Sequence, residues 1–144
     1  MSELRYNLIS REWVIVATER AKRPHDFIKE KEKKEVPTYK ENCPFCPGNE
    51  NKTPAETFRI GDQDSWKVRS VYNLFGALSP KEKQQRSNIG MYMSMSGFGT
   101  HEVIIEHPLH NTMIPLMANV EVENIIKAYK QRYDAIQKDK GLRR

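Results

Sequence analysis

The stretch NVEVENIIKAYKQRYDAIQKDKG, residues 119–141, is where apolar residues settle into the period of an α-helix. Val122, Ile125, Ile126, Tyr129, Tyr133 and Ile136 fall at i, i+3, i+4, i+7, i+11 and i+14, which makes one stripe. Asn119 stands where an N-cap is wanted, Glu121 puts a carboxylate in the first turn, and Gly141 supplies a stop. A helix over about residues 120–140 follows, packing its stripe on whatever precedes it. The segments upstream carry strand signals and no comparable helical period. The fold class expected is therefore α+β, an antiparallel sheet with one long C-terminal helix.

Glu12–Ala17 (EWVIVA) is rich in β-formers and follows a polar turn. Thr57–Ile60 and Trp66–Val71 carry the same signal, and the Gly61–Asp64 segment between them suits a hairpin turn. Met91, Met93 and Met95 alternate with Tyr92 and Ser94, enough for a short strand. His101–Glu106 (HEVIIE) is a clear strand that Pro108 terminates. Residues 18–56 keep no period. They hold the lysine–glutamate run Lys29–Glu35 and then a loop over about residues 37–56, whose Pro, Gly and Asn residues mark turns. There is no internal repeat.

A chain of 144 residues is the size of one ordinary domain. Hydrophobic residues make up 38%, charged residues 30%, and mean hydropathy is −0.77, so a folded chain with a thin core is expected. No run reaches the roughly 18 apolar residues of a membrane helix, and the N-terminus lacks the apolar stretch of a signal peptide; a cytoplasmic protein without a membrane partner is expected. The net charge of +5 could suggest nucleic acid, but the seven basic and two acidic residues from Lys127 to Arg144 account for all of it. An excess confined to one helix and its tail argues against a phosphate-binding stripe.

Two cysteines, Cys43 and Cys46, lie three apart. In a chain without secretory features such a pair points to metal or redox chemistry. A redox pair wants a buried strand before it and a helix starting at the first cysteine, and Lys40-Glu41-Asn42 and Pro47-Gly48-Asn49 provide neither. Metal is the better reading: two thiolates on one side of a tight turn, completed by histidine or carboxylate from elsewhere. His107-Pro108-Leu109-His110 follows the HEVIIE strand and offers that partner, so Cys43, Cys46 and His110 would staple the loop to the strand end. Arg20 and Arg23, three apart, suit bidentate capture of a phosphate, and Asn73 closes a strand where its amide could meet a ligand. On their own these three residues read first as solvated or turn-capping positions. His25 and His101 read as ordinary polar positions.

Taken in order, LRYNLISREWVIVATERAKRP, CPFCPGNENKTP, WKVRSVYNLFGAL and GFGTHEVIIEHPLHN resemble the N-terminal half of the galactose-1-phosphate uridylyltransferase family, in the histidine-triad superfamily. The match covers most of residues 4–111. The resemblance implies a histidine-triad-like sheet forming an incomplete domain, and a two-step transfer. A histidine attacks the α-phosphate of UDP-glucose, and galactose 1-phosphate then attacks the nucleotidyl-histidine; an ADP-glucose or related sugar-nucleotide phosphorylase or adenylyltransferase of the same family is the alternative. It implies Zn2+ held by Cys43, Cys46 and His110, with His107 a minor candidate for the fourth ligand. Phe45 and Asn73 would contact the nucleotide, and Arg20 and Arg23 would reach the ligand of a neighbouring subunit, so a homo-oligomer is implied as well. The family's nucleophile sits in an H-x-H motif beyond the helix, and no H-x-H occurs in these 144 residues, so no catalytic residue is assigned in this chain. Leu8 and Thr18 stand where proline is common in the family, and Arg11 where glycine is common. A non-catalytic zinc-stabilised binding module is the rival expectation.

Overall fold

The computed structural model describes residues 2–18, 20 and 35–139; Arg23, His25, the run Lys29–Lys34 and the helix stop expected at Gly141 lie outside them. The elements are β1 (Glu3–Asn7), β2 (Glu12–Val16), β3 (Glu56–Gly61), β4 (Trp66–Tyr72), β5 (Arg86–Ile89), β6 (Tyr92–Ser96), β7 (Glu102–Ile105) and α1 (Asn119–Lys138). The strands form two antiparallel sheets rather than the single one expected, ordered β2-β1-β6-β5 and β3-β4-β7. They belong to two compact units: Met1–Asp26 with Phe75–His101, and Phe27–Leu74 with Glu102–Arg143.

In the helix-bearing unit β4 is central and buried along most of its length. Its hairpin partner β3 closes through Gly61, whose φ of 99° lies in the left-handed region and where a Cβ would come within 2.7 Å of the Ser65 carbonyl oxygen. The register shifts between Ile60 and Gly61, which adds one residue to β4. That extra residue moves Trp66 to the side of Val71 and Ile105, while Val68 packs with Ile125 and Ala128 of α1. Phe58, Ile60, Ile104 and Met117 complete the helix side of the core.

The helix contacts the sheet along Ile125 and Ala128, so the expected stripe is corrected by part of a turn. Ile126, Tyr129 and Tyr133 face solvent. The reason is Ala128, which sequence hydrophobicity ranks low but whose small side chain lets the helix sit close to β4. Arg132 then fixes the second half of the helix: its guanidinium grips the Glu102 carboxylate through two hydrogen bonds of 2.8 and 2.7 Å, and Ser70 Oγ donates to the same carboxylate at 2.8 Å. Burial pushes the Glu102 carboxyl up, but the Arg132 and Ser70 hydrogen bonds and the Arg132 charge bring it below the usual range. The N-cap is Ala118, not Asn119. Its N–H donates to the Glu121 carboxylate at 2.8 Å, so the residue three places on makes the half of a capping box that does not need a polar side chain at the cap.

The other unit holds a four-stranded antiparallel sheet of two hairpins joined through β1 and β6, with no α-helix among its described residues. Tyr6 and Trp13 are direct partners across β1 and β2, with ring centroids 5.4 Å apart. The β1–β2 turn closes through Asn7, whose Oδ1 accepts from the backbone of Ile9 and Ser10, and through Arg11, which sits at φ 58° and donates its N–H to the Asn7 carbonyl. Strands β1 and β5 are additions to the sequence reading; both are short and largely polar, and β5 (RSNI) is exposed throughout. Among the described residues no helix is long and apolar enough to cross a membrane.

Candidate metal centre

Residues 38–53 form a chain of short turns rather than a wandering loop. Backbone N–H groups of Cys43, Cys46, Asn49, Lys52 and Thr53 donate to the carbonyls of Lys40, Cys43, Cys46, Asn49 and Glu50, each three residues back. Gly48 makes the reversal after the second cysteine possible, at φ 85°. Asn49 is buried and holds the arrangement from inside: its Nδ2 donates to the Glu41 carbonyl at 3.0 Å and to the Cys43 carbonyl at 2.8 Å. The strand end arrives from the other side, where His110 N–H donates to the Thr38 carbonyl at 2.8 Å.

These turns bring Cys43, Cys46 and His110 together, with their ligand atoms all within 4.8 Å of one another, close enough to hold one metal ion. His110 Nδ1 lies 3.5 Å from Cys46 Sγ, and the Lys40 N–H points at the same sulfur at 3.4 Å. Both cysteines are free thiols. Burial pushes the Cys46 thiol up, and the adjacent Cys43 sulfur adds to that against the Lys40 N–H. Two thiols and an imidazole converging on one point suit a borderline-soft divalent cation far better than calcium or magnesium, which take oxygen ligands.

His107 is engaged elsewhere. Its Nδ1 accepts the Leu109 N–H at 3.0 Å, which puts the proton on Nε2, and Nε2 then donates to the Glu121 carboxylate at 3.0 Å. With one nitrogen accepting and the other donating, the ring has no lone pair left for a metal. The same Glu121 caps α1, so His107 ties the strand end to the helix start; its hydrogen bond and the Ala118 N–H draw the Glu121 carboxyl below the usual range.

A cavity of about 260 Å³ opens beside the three ligands, lined by Cys43, Phe45, Cys46, His107, Pro108, Leu109 and His110. Phe45 is exposed and is one of the lining residues. Asn73 is half-buried just after β4 in this unit. Arg20 is half-buried in the four-stranded unit, where its N–H donates to the Ala17 carbonyl at 3.1 Å. His101, set aside as an ordinary polar residue, accepts the Ala77 N–H on Nδ1 at 2.9 Å. Sequence reasoning passed over Asn49; the only hint was its place three residues after Cys46, where a turn must close.

The chain matches the family model described as galactose-1-phosphate uridyl transferase, N-terminal domain, over residues 1–143. It is 38% identical to an ADP-glucose phosphorylase of Arabidopsis thaliana over 137 residues, which is 93% of this chain and 39% of that protein. It is 31% identical to a galactose-1-phosphate uridylyltransferase of Haemophilus influenzae, over 89% of this chain and 36% of that one. Among solved structures, the Arabidopsis ADP-glucose phosphorylase with bound ADP-glucose superimposes with a TM-score of 0.55 at 34% identity, covering 96% of this chain and 40% of that chain. The chain thus spans about two fifths of the length of the relatives it matches.

Proposed function

Since the chain belongs to the family of the galactose-1-phosphate uridyl transferase N-terminal domain, we propose that it is the zinc- and nucleotide-binding portion of a cytoplasmic sugar-nucleotide transferase or phosphorylase. The convergence of Cys43, Cys46 and His110, drawn from the turn chain and from the end of β7, carries this reading. The three would hold zinc, which when bound cross-links the turn chain to the strand end and fixes Phe45 between the two cysteines. Phe45 then offers a flat face to the base, Asn73 a hydrogen-bonding amide, and Arg20 and Arg23 guanidinium forks for the phosphates, the last two in an oligomer of this chain.

ADP-glucose is the favoured sugar nucleotide. The 38% identity to an ADP-glucose phosphorylase, against 31% to a uridylyltransferase, supports adenine over the uracil of UDP-glucose. Transfer through a nucleotidyl-histidine to phosphate or a hexose 1-phosphate needs a free imidazole lone pair at the α-phosphorus. His107 is hydrogen-bonded through both nitrogens and His110 belongs to the metal set, so neither is offered as the attacking histidine; the resemblance assigns that role to an H-x-H motif, which these 144 residues do not contain.

Calorimetric titration with ADP-glucose and UDP-glucose tests the binding claim. ADP-glucose should bind more tightly, and Phe45→Ala should weaken it at least about tenfold, the loss of one base stack. Incubation with either radiolabelled sugar nucleotide should leave no acid-labile nucleotidyl adduct on this chain. A stoichiometric adduct on any of its histidines would overturn the assignment of the nucleophile, and equal heats of zero for both ligands would favour the non-catalytic module.

A further inference from the structure

Arg69, in the middle of β4, has a charged side chain only 2% exposed, the most deeply buried cation of the described residues. Neither the core nor the proposed ligand contacts require it. Its Nε donates to Glu56 Oε2 at 2.7 Å, its Nη2 to Thr53 Oγ1 at 3.3 Å, and its Nη1 lies 4.0 Å from Glu50 Oε1. The guanidinium carbon stands 5.5 Å from the centre of the Trp66 ring, and the Trp66 indole N–H donates to the same Glu50 oxygen at 2.9 Å. One side chain thus engages three residues of the segment that leaves the metal loop and enters β3.

We infer that Arg69 is a positioning residue for the metal centre, holding the turn chain in its ligating shape before a metal arrives. This rests on the zinc reading above and extends it. The line of contacts is continuous. Arg69 holds Thr53 by a hydrogen bond and Glu50 by charge alone across 4.0 Å, Trp66 supplying the hydrogen bond to Glu50, and Thr53 Oγ1 in turn donates to the Glu50 carbonyl at 2.8 Å, closing the single 3-10 turn Glu50–Lys52. That turn begins at Asn49, whose amide holds the carbonyls of Glu41 and Cys43 and whose own N–H donates to the Cys46 carbonyl. Release of the Glu50–Thr53 turn therefore frees Asn49, and with it the spacing of the two sulfurs. A guanidinium suits the task because its planar fork meets two or three oxygens in fixed directions, which an ammonium cannot do. Burying it is costly unless its partners stay ionised, and Glu56 and Glu50 both do: Arg59 and then Arg69 draw the Glu56 carboxyl down against burial, and backbone N–H groups, Trp66 and Arg69 outweigh burial at Glu50.

Metal affinity and thiol reactivity, measured side by side on the full chain, test the inference. Co2+ serves as the probe, since its visible absorption reports a thiolate-rich tetrahedral site, with a chelator competition to set the affinity. Arg69→Met should weaken Co2+ binding by about ten- to a hundredfold, the range found for residues that orient metal ligands. Arg69→Lys, which restores the charge but not the fork, should recover thermal stability while leaving Co2+ binding weak. Should the buried Met variant fail to fold, the double variant Glu50→Gln with Thr53→Val keeps the Arg69–Glu56 pair and should still weaken Co2+ several-fold. In the metal-free chain, Arg69→Lys should also raise the alkylation rate of Cys46. Wild-type affinity and wild-type alkylation in these variants would overturn the latch. A wild-type chain that takes no Co2+ would sink the zinc reading instead, and the alkylation rates would then decide the latch by themselves.

Discussion

All seven buried hydrophobic side chains of the described residues, from Cys46 to Ala128, belong to the helix-bearing unit, while the four-stranded unit leaves Trp13, Ile15, Ile89 and Tyr92 exposed. Both are antiparallel sheets, and the register shifts fall in β3–β4 of the better-buried unit, so regularity of pairing does not explain the difference. Cover does. In one unit α1 lies on β4 and a buried ion pair closes the edge; in the other, the described residues of the unit include no layer over the strands. An isolated sheet with both faces wet has little stability of its own, whereas a sheet buried on both sides of its central strand can support a rigid site. The metal ligands and the Arg69 latch sit on the second kind.

The largest effect that could break this contrast is a cavity. Ile125→Ala should cost about 3–4 kcal/mol, since this α1 residue is fully buried in the cluster it forms with Val68 and Ala128, while Trp13→Ala in the other unit should cost no more than about 1 kcal/mol. Urea denaturation of the two variants checks it, and comparable losses would show that the four-stranded sheet has a core after all.

Next comes the Glu102–Arg132 pair, with side-chain exposures of 7% and 17%. Arg132→Met should destabilise by about 2–3 kcal/mol, because Glu102 would keep its burial and lose both strong donors. The pH dependence has a definite sign. Glu102, Glu50 and Glu56 all have folded-state carboxyls held below the ordinary 4.5, so the folded unit binds fewer protons than the unfolded chain. Their stabilisation is fully present above about pH 4.5 and is lost as pH falls through the folded values. Acid titration followed by Trp66 fluorescence should show the helix-bearing unit loosening below that point, and a midpoint unchanged in Arg132→Met would contradict the assignment.

Amide hydrogen exchange sharpens the comparison residue by residue. Amides of β4 such as Val68 and Ser70 should be the slowest in the chain, and those of β5 and of β1 among the fast ones. The smallest effect concerns Arg11. A left-handed conformation costs a residue with a Cβ about 1 kcal/mol, part of which glycine gives back through a freer unfolded chain, so Arg11→Gly should stabilise by about 0.5 kcal/mol in thermal unfolding.

How much of this was legible in the sequence differs between the units for the same physical reason. The helix, the β3–β4 hairpin and the HEVIIE strand were readable because burial imposes a pattern on the residues that are buried. Strands β1 and β5 were not: RSNI carries no hydrophobic period, and ELRYN alternates only Leu4 and Tyr6, too short a signal to stand out before its partner β2 is known. The rotation of the helix stripe toward Ala128 turned on a close approach that only β4 could reveal. At the site, Cys43, Cys46 and His110 were visible as ligand types at telling spacings. Asn49 and Arg69 were not, because a buried polar residue is explained by its partners, and those lie up to 19 positions away in sequence.

That three-residue centre is most directly tested by the metal content of chain purified without chelator, read together with the state of its thiols. One zinc per chain, lost in Cys46→Ser and in His110→Ala but retained in His107→Ala, is the expected result. A metal-free chain carrying a Cys43–Cys46 disulfide, or zinc that survives removal of His110, would contradict it.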